Sequence, residues 1–404
     1  MSRVQFTNRQ GLKLTGDIAW PAGGEARAFA LFAHCFTCTR SIKAAIHIAE
    51  ALAGEGIAVL RFDFTGLGQS EGEFAATDFS SNVDDLEDAA AYLSAHHQAP
   101  QILIGHSLGG TAVLAVAPRI ASCRAVAVIG APADPAHVLH NFAGEVETIL
   151  AEGSAEVNLG GRPFRIGRQF IADVRAQNLP ARLRDLRRAL LILHSPLDRI
   201  VGIDNAQQIF QHALHPKSFV SLDHADHLLS KPADSRYAGQ VIASWAARYL
   251  DAVPAAEVAP GVIARGLTEA GFLTALSGGR HRLLADEPED AGGGDLGPSP
   301  YDYLAAALAA CTTMTLNLYA RHKNLPLSRV SCHVTHHRVH AADCEACTTK
   351  EGRIDVFERA ITIEGEIEPA VRQRLREIAD RCPVHRTLEN EIKIRTELTG
   401  PAGA

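Results

Sequence analysis

Between residues 4 and 250, short apolar runs alternate with segments of helical periodicity, and this alternation restricts the fold more than any other feature. AFALFAH, AVLRFDF, QILIGHS, AVAVIGAP, ALLILHSP and KSFVSLD read as strands. Most are apolar at successive positions, as strands are when both faces of their sheet are covered. SIKAAIHIAEALAGEG and VDDLEDAAAYLSAHH lie between them with helical spacing. The expected fold class is therefore α/β, a doubly wound, mostly parallel sheet. Residues 134–185 are helical in pattern and are expected to form a small cap.

At 404 residues the chain is long enough for two domains. DAVPAAEVAPG, residues 251–261, is rich in Ala and Pro, lacks periodicity and reads as a linker between domains at 1–250 and 262–404. The second half has a different rhythm. Strand-like patches at 262–285 precede the loop AGGGDLGPSP and an apolar helix carrying Cys311. VSCHVTHHRVH and RIDVFERAITIEGEI follow as long alternating strands, then the helix EPAVRQRLREIAD with Pro369 in its first turn, and EIKIRTEL as a closing strand. This is an α+β pattern. In the Cys311 helix, Ala307, Met314 and Leu318 share a face with the thiol, and that face is expected to point into a core. The uncharged stretch 303–320 reads as a buried helix rather than a membrane span, given its Ala, its Thr and Asn317.

QILIGHSLGGTAVLAVA places Gly105-His106-Ser107-Leu108-Gly109 between a strand and an Ala-rich helix. Small residues there permit the tight turn that lifts a serine hydroxyl clear of a sheet. The Leu108 N–H, at the helix start, is aimed to stabilise a developing oxyanion. A serine needs a base backed by a carboxylate. Asp198 directly follows a strand at the sheet's C-terminal edge. In LDHADHLLS, His227 is favoured over His224 because it lies further into the loop. These residues resemble the α/β-hydrolase family over residues 1–250, and FDFTGLGQSEG resembles that family's loop after the next strand. The resemblance implies an esterase: Ser107 attacks a carbonyl, His227 moves the proton and Asp198 orients the ring. It also implies a second oxyanion donor after AFALFAH, where His34-Cys35-Phe36 stands in place of His-Gly and Phe36 is the candidate. Cys35 and Cys38 form a C-x-x-C, read as two small residues filling a tight loop in preference to a redox pair.

Cys311 taken alone is a buried small hydrophobe. Arg381-Cys382-Pro383 supplies a second thiol where a helix ends, at the negative end of its dipole, which suits a resolving rather than an attacking cysteine. GPSPYDYLAAALAACTTMT and RCPVHRTL resemble the OsmC/organic hydroperoxide resistance family over residues 260–398. That resemblance implies a homodimer reducing organic hydroperoxides, with Cys311 peroxidatic and Cys382 resolving. It further implies a thiolate-holding arginine, for which Arg280 or Arg282 is the candidate, and an acid before the helix, for which Asp302 is nearest. Cys332, His333, His336, His337, His340, Cys344 and Cys347 could suggest zinc. Alternation along the strand sends neighbouring histidines to opposite faces, so no metal is expected, and no cofactor is expected in either half.

A net charge of −7 argues against nucleic acid or an anionic membrane as partner. MSRVQFTNRQ has no apolar run, so no signal peptide is read, and eight scattered cysteines suit a reducing cytoplasm. The overall resemblance is to bacterial hydrolase–OsmC fusions. Small acyl esters and organic hydroperoxides are the expected substrates, and the covalent linkage suggests acyl esters whose chains carry hydroperoxides.

Overall fold

A computed structural model describes residues 2–251, 260–266, 271–279, 281–340 and 351–398. It divides into two compact units, Met1–Arg282 and Leu283–Ala404.

The first unit opens with β1 (Ser2–Thr7), β2 (Lys13–Ala19), β3 (Ala28–Ala33), α1 (Lys43–Gly54) and β4 (Ile57–Phe62). Then come α2 (Phe79–His96), β5 (Ile102–His106), α3 (Leu108–Val116) and β6 (Ala125–Ile129). After a cap, β9 (Ala189–His194), α7 (Asp204–His212), β10 (Lys217–Ser221) and α8 (Pro232–Ala246) complete the layers. The eight strands lie in the order β1-β2-β4-β3-β5-β6-β9-β10. β1 with β2 and β2 with β4 are antiparallel; all other pairings are parallel. Side chains of a strand alternate between faces, and in β3 Phe29, Leu31 and Ala33 enter one core while Ala28, Ala30 and Phe32 enter the other. α1 and α8 cover the second core, and α2 and α3 cover the first. All six β3 residues are buried, as their unbroken apolar run requires.

The cap consists of a 3₁₀ segment (Pro135–Phe142), α4 (Val146–Glu152), β7 (Ser154–Leu159), β8 (Arg162–Gly167), α5 (Arg168–Ala176) and α6 (Leu179–Arg184). The all-helical expectation for 134–185 is thus corrected by an antiparallel hairpin. Gly160 and Gly161 form its two-residue turn, both at positive φ (60° and 81°), the conformation that lets a tight hairpin follow the strand twist. The division into units also falls later than residue 262. β11 (Val262–Gly266) and β12 (Thr274–Gly278) pair with each other inside the first unit, where Arg265 lies 3.6 Å from Glu25.

β13 (His281–Ala285) straddles the division. The second unit continues with α9 (Pro300–His322), β14 (Leu327–His340), β15 (Arg353–Gly365), α10 (Pro369–Ala379) and α11 (Pro383–Glu389). β14 and β15 form one long antiparallel ribbon. Ser299 and Asp302 close a reciprocal capping box at the start of α9, so Asp302 serves the helix end. The core here is small: Leu316, Ile367, Leu375 and Ala379, with partly buried neighbours.

Three expectations for this unit are corrected. α9 buries Ala305, Leu308, Thr312, Leu316 and Ala320, whereas Met314 and Leu318 are 70% and 71% exposed and Ala307 is exposed. An Ala-rich helix is apolar all round, and spacing alone does not say which stripe faces inward. α9 is long and apolar enough to cross a membrane by length and composition, and it is buried along one face only. Residues 391–398 form no strand and are exposed throughout; alternation without a neighbouring strand leaves their backbone without a ladder.

Candidate active site

Ser107 stands between β5 and α3 at φ 56°, ψ −127°. The turn closes because a side chain is absent around it. A Cβ on Gly105 would lie 2.3 Å from the Gly109 carbonyl oxygen, and one on Gly109 would lie 2.4 Å from that of His34. A Cβ on Gly110 would lie 2.6 Å from that of Ala131. The Ser107 N–H donates to Ile129 (2.9 Å) and its carbonyl accepts from Gly110 (2.8 Å), fixing the turn to β6 and α3.

Asp198 lies in the loop after β9, and His227 in the loop after β10. His227 Nδ1 is 2.7 Å from Asp198 Oδ2, and His227 Nε2 is 3.0 Å from Ser107 Oγ. Because the carboxylate can only accept, Nδ1 carries the proton and Nε2 is free to accept from the serine hydroxyl. Asp198 Oδ1 accepts from the N–H groups of Ile200 and Val201, both at 2.9 Å. Burial works to raise the Asp198 carboxyl, but the His227 bond and these two N–H groups hold it below its usual range. His224 is exposed and takes no part. Gly130, at φ 54°, leaves room for the pair: its Cβ would lie 3.2 Å from Asp198 Oδ2 and 3.4 Å from His227 Nδ1.

One buried group here was not foreseen. His106, 1% exposed, donates from Nε2 to the His227 carbonyl at 2.6 Å. Burial, and then the adjacent His227 ring, push its pKa down to about 4, so it stays neutral and ties down the loop that carries His227. Its place directly before the serine was the available signal.

The Phe36 and Leu108 N–H groups are engaged by no other group among the described residues. Phe36 sits inside a turn in which the Cys38 N–H donates to the Cys35 carbonyl (3.1 Å) and Thr37 has φ 61°. That turn brings the two cysteine Cα atoms to 5.3 Å, and the sulfurs are bonded as a disulfide. This corrects the reading of Cys35 and Cys38 as separate loop fillers.

In the second unit Cys311 and Cys382 are both free thiols. Cys382 is fully buried and caps α11, accepting from the His385 N–H at 3.3 Å. It therefore stands at the start of a helix as well as just past the end of α10, which the sequence reading missed; Pro383 at the first helical position was the sign. Its sulfur is 3.8 Å from Thr312 Oγ1, the residue after Cys311, and Cys311 itself is half-buried on the adjoining stripe. Arg359, unforeseen, donates to Thr312 Oγ1 (3.0 Å) and to the Ala379 carbonyl (3.2 Å), and pairs with Asp380 at 2.5 Å. A charged residue in the inward phase of alternating β15 was its sequence signal. Burial raises the Cys332 thiol, opposed by Arg359 and Thr312, so a third thiol shares this corner. Arg282 is exposed; Arg280, Cys344 and Cys347 lie outside the described residues. His333 and His337 point out and His336 points in, toward Asp355 at 2.9 Å; among the described residues no group of three metal-binding side chains assembles.

Comparison with known proteins agrees with this architecture. Residues 24–157 match the family described as serine aminopeptidase S33, and residues 292–397 match the OsmC-like protein family. The crystal structure of the esterase domain from a Rhodothermus marinus protein is 50% identical, covering 62% of this chain and 99% of that one at TM-score 0.53. A Mycolicibacterium smegmatis monoacylglycerol lipase is 24% identical, covering 55% of this chain and 90% of the lipase. The rat palmitoyl-protein thioesterase ABHD10 is 26% identical, over 48% of this chain and 66% of its own. The first unit is thus a hydrolase of the esterase and lipase type with the α/β-hydrolase fold. The same chain carries, after this hydrolase, a segment that matches the OsmC-like protein family.

Proposed function

We propose that the first unit is a carboxylic-ester hydrolase in which Ser107, His227 and Asp198 act as one triad. The reading rests on the unbroken hydrogen-bonded chain from Asp198 Oδ2 through His227 to Ser107 Oγ. His227 takes the serine proton as Oγ attacks the acyl carbon, and Asp198 stabilises the imidazolium that forms. The N–H groups of Leu108 and Phe36 receive the oxyanion. His227 then protonates the leaving alcohol, and water releases the acid by the same route. Small acyl esters are the substrates; a thioester is the second reading, favoured by the similarity to a thioesterase. Turnover of matched esters and thioesters by the full chain, with Ser107→Ala as control, separates the two. Equal turnover by the control would overturn both.

The second unit, in this reading, reduces organic hydroperoxides. The Cys311 thiolate takes the terminal oxygen of ROOH, giving ROH and a sulfenic acid; the Cys382 thiol then forms a disulfide with loss of water. The stripe Leu304, Ala307, Cys311, Met314 and Leu318 follows heptad spacing, and Leu304, Met314 and Leu318 are 45–71% exposed. So apolar a stripe over so small a core supports a homodimer through α9. The rival is a dimerisation or ligand-binding module with inert thiols. Titration after one equivalent of organic hydroperoxide distinguishes them: loss of both Cys311 and Cys382 supports reduction, and unchanged thiols support the module.

A further inference from the structure

Against Leu108 and Gly109, the two residues after the proposed nucleophile, lies a cavity of about 20 Å³, room for one water. Phe36 and Leu108 bound it on the side of the oxyanion donors, and Phe64, Phe74 and Phe79 make its apolar walls. Phe170 and Phe164 of the cap pack on the Phe36 and Phe74 rings with centroids at 5.1 and 5.3 Å.

Three polar side chains interrupt this aromatic lining, His34, Thr37 and Asn82. His34 is 1% exposed, and its Nδ1 lies 2.9 Å from the Cys35 carbonyl oxygen. A carbonyl only accepts, so Nδ1 bears the hydrogen, and burial keeps the ring neutral by lowering its pKa. Nε2 is then a bare lone pair, buried and without a hydrogen-bond partner. Asn82 is half-buried, and its side-chain amide has no protein partner among the described residues, although its backbone N–H is used within the start of α2. An apolar acyl chain would satisfy neither group. His34 and Asn82 both line this small space, and a bare lone pair together with an amide fit a ligand atom that both donates and accepts.

We propose that this cavity is an acyl subsite selecting chains that carry an O–H group, whose hydrogen bonds His34 Nε2 and whose oxygen accepts from Asn82. The subsite rests on the esterase reading above and deepens it. Alcohols and hydroperoxides share the required O–H; a keto oxygen cannot donate, and a methylene can do neither. Acyl chains enter by displacing the Phe36 and Phe74 rings, which are held by dispersion contacts with the cap rather than by hydrogen bonds.

The test uses the full-length Ser107→Ala protein, so that binding is read without turnover. Short-chain acyl esters are compared by calorimetry in four forms: unsubstituted, hydroxyl, hydroperoxyl and keto, with the substituent walked along the chain. At one position the hydroxyl or hydroperoxyl ester binds at least about tenfold tighter than its unsubstituted and keto counterparts. In the Ser107→Ala/Asn82→Leu protein, that ratio falls toward one. Comparison of the hydroxyl and hydroperoxyl arms identifies which oxygenated chain the subsite prefers. Equal affinity for all four forms at every position overturns the inference, as does a preference that survives Asn82→Leu. Wild-type turnover is read separately: if none of these esters is hydrolysed, the assignment of Ser107 fails while the binding ratio still decides the subsite.

Discussion

Ser107 and Cys311 stand in contrasting surroundings. Ser107, His227 and Asp198 come from loops after β5, β10 and β9, and His227 bridges the other two with bonds of 3.0 Å to Ser107 and 2.7 Å to Asp198. Around Cys311 the pieces within one chain are partial: Thr312 links Cys382 and Arg359, while the helix face that carries the thiol stays largely exposed. Chemistry accounts for the contrast. A serine hydroxyl is a poor nucleophile until its base is in place, whereas a thiol needs only to ionise. Here the hydroxyl has its base and carboxylate within one unit, whereas the helix face that carries the thiol is left open.

The comparison is tested most severely by Ser107→Ala. Ester kcat/KM should fall by at least about 10⁴-fold, with the loss of thiols to hydroperoxide unchanged. A fall in both would mean the two centres are not independent. Asp198→Asn comes next: it preserves shape but favours the wrong His227 tautomer, and kcat should drop about 10³- to 10⁴-fold, measured on the same ester.

His106 sharpens the account of the first site through pH. Its imidazole has an ordinary pKa of 6.5 and is held at about 4 in the fold. Between these values the unfolded chain takes up a proton that the folded chain refuses. Stability is therefore complete above 6.5 and declines as pH falls toward 4, by about 3 kcal/mol. His106→Gln should lose less over that window, as read from urea midpoints of the first unit's transition. An identical pH slope in the variant would remove His106 from the account. The smallest effect concerns the second unit. Leu318→Glu places a charge on the exposed stripe and should weaken self-association about 10- to 100-fold by sedimentation, with ester kcat/KM unchanged. Undiminished association would move the dimer contact off α9.

The sheet and the meeting of Ser107, His227 and Asp198 were legible because their signals are local. Continuous apolar runs, a Gly-x-Ser-x-Gly between strand and helix, and a carboxylate and histidine each just past a strand all appear within a few residues. The β7–β8 hairpin was legible too, had Gly160-Gly161 been weighed as a two-residue turn rather than absorbed into a helical cap. The inward face of α9 was not legible: with alanine at 305, 306, 307, 309 and 310, only tertiary packing chooses the stripe. The disulfide depended on the left-handed Thr37, which C-x-x-C spacing does not announce. His34 and Asn82 lie 48 positions apart in sequence, and no local pattern predicts that they line one cavity.

The clearances at Gly105, Gly109 and Gly110 bear on how this catalyst can be re-engineered. Each position admits a hydrogen and no carbon, since the nearest obstacles are carbonyl oxygens and a methyl group set by three different segments. Libraries built at those sites would return mostly misfolded protein. Variation aimed at altering substrate preference belongs instead in the phenylalanine walls and the cap hairpin, where volume can change without moving Ser107.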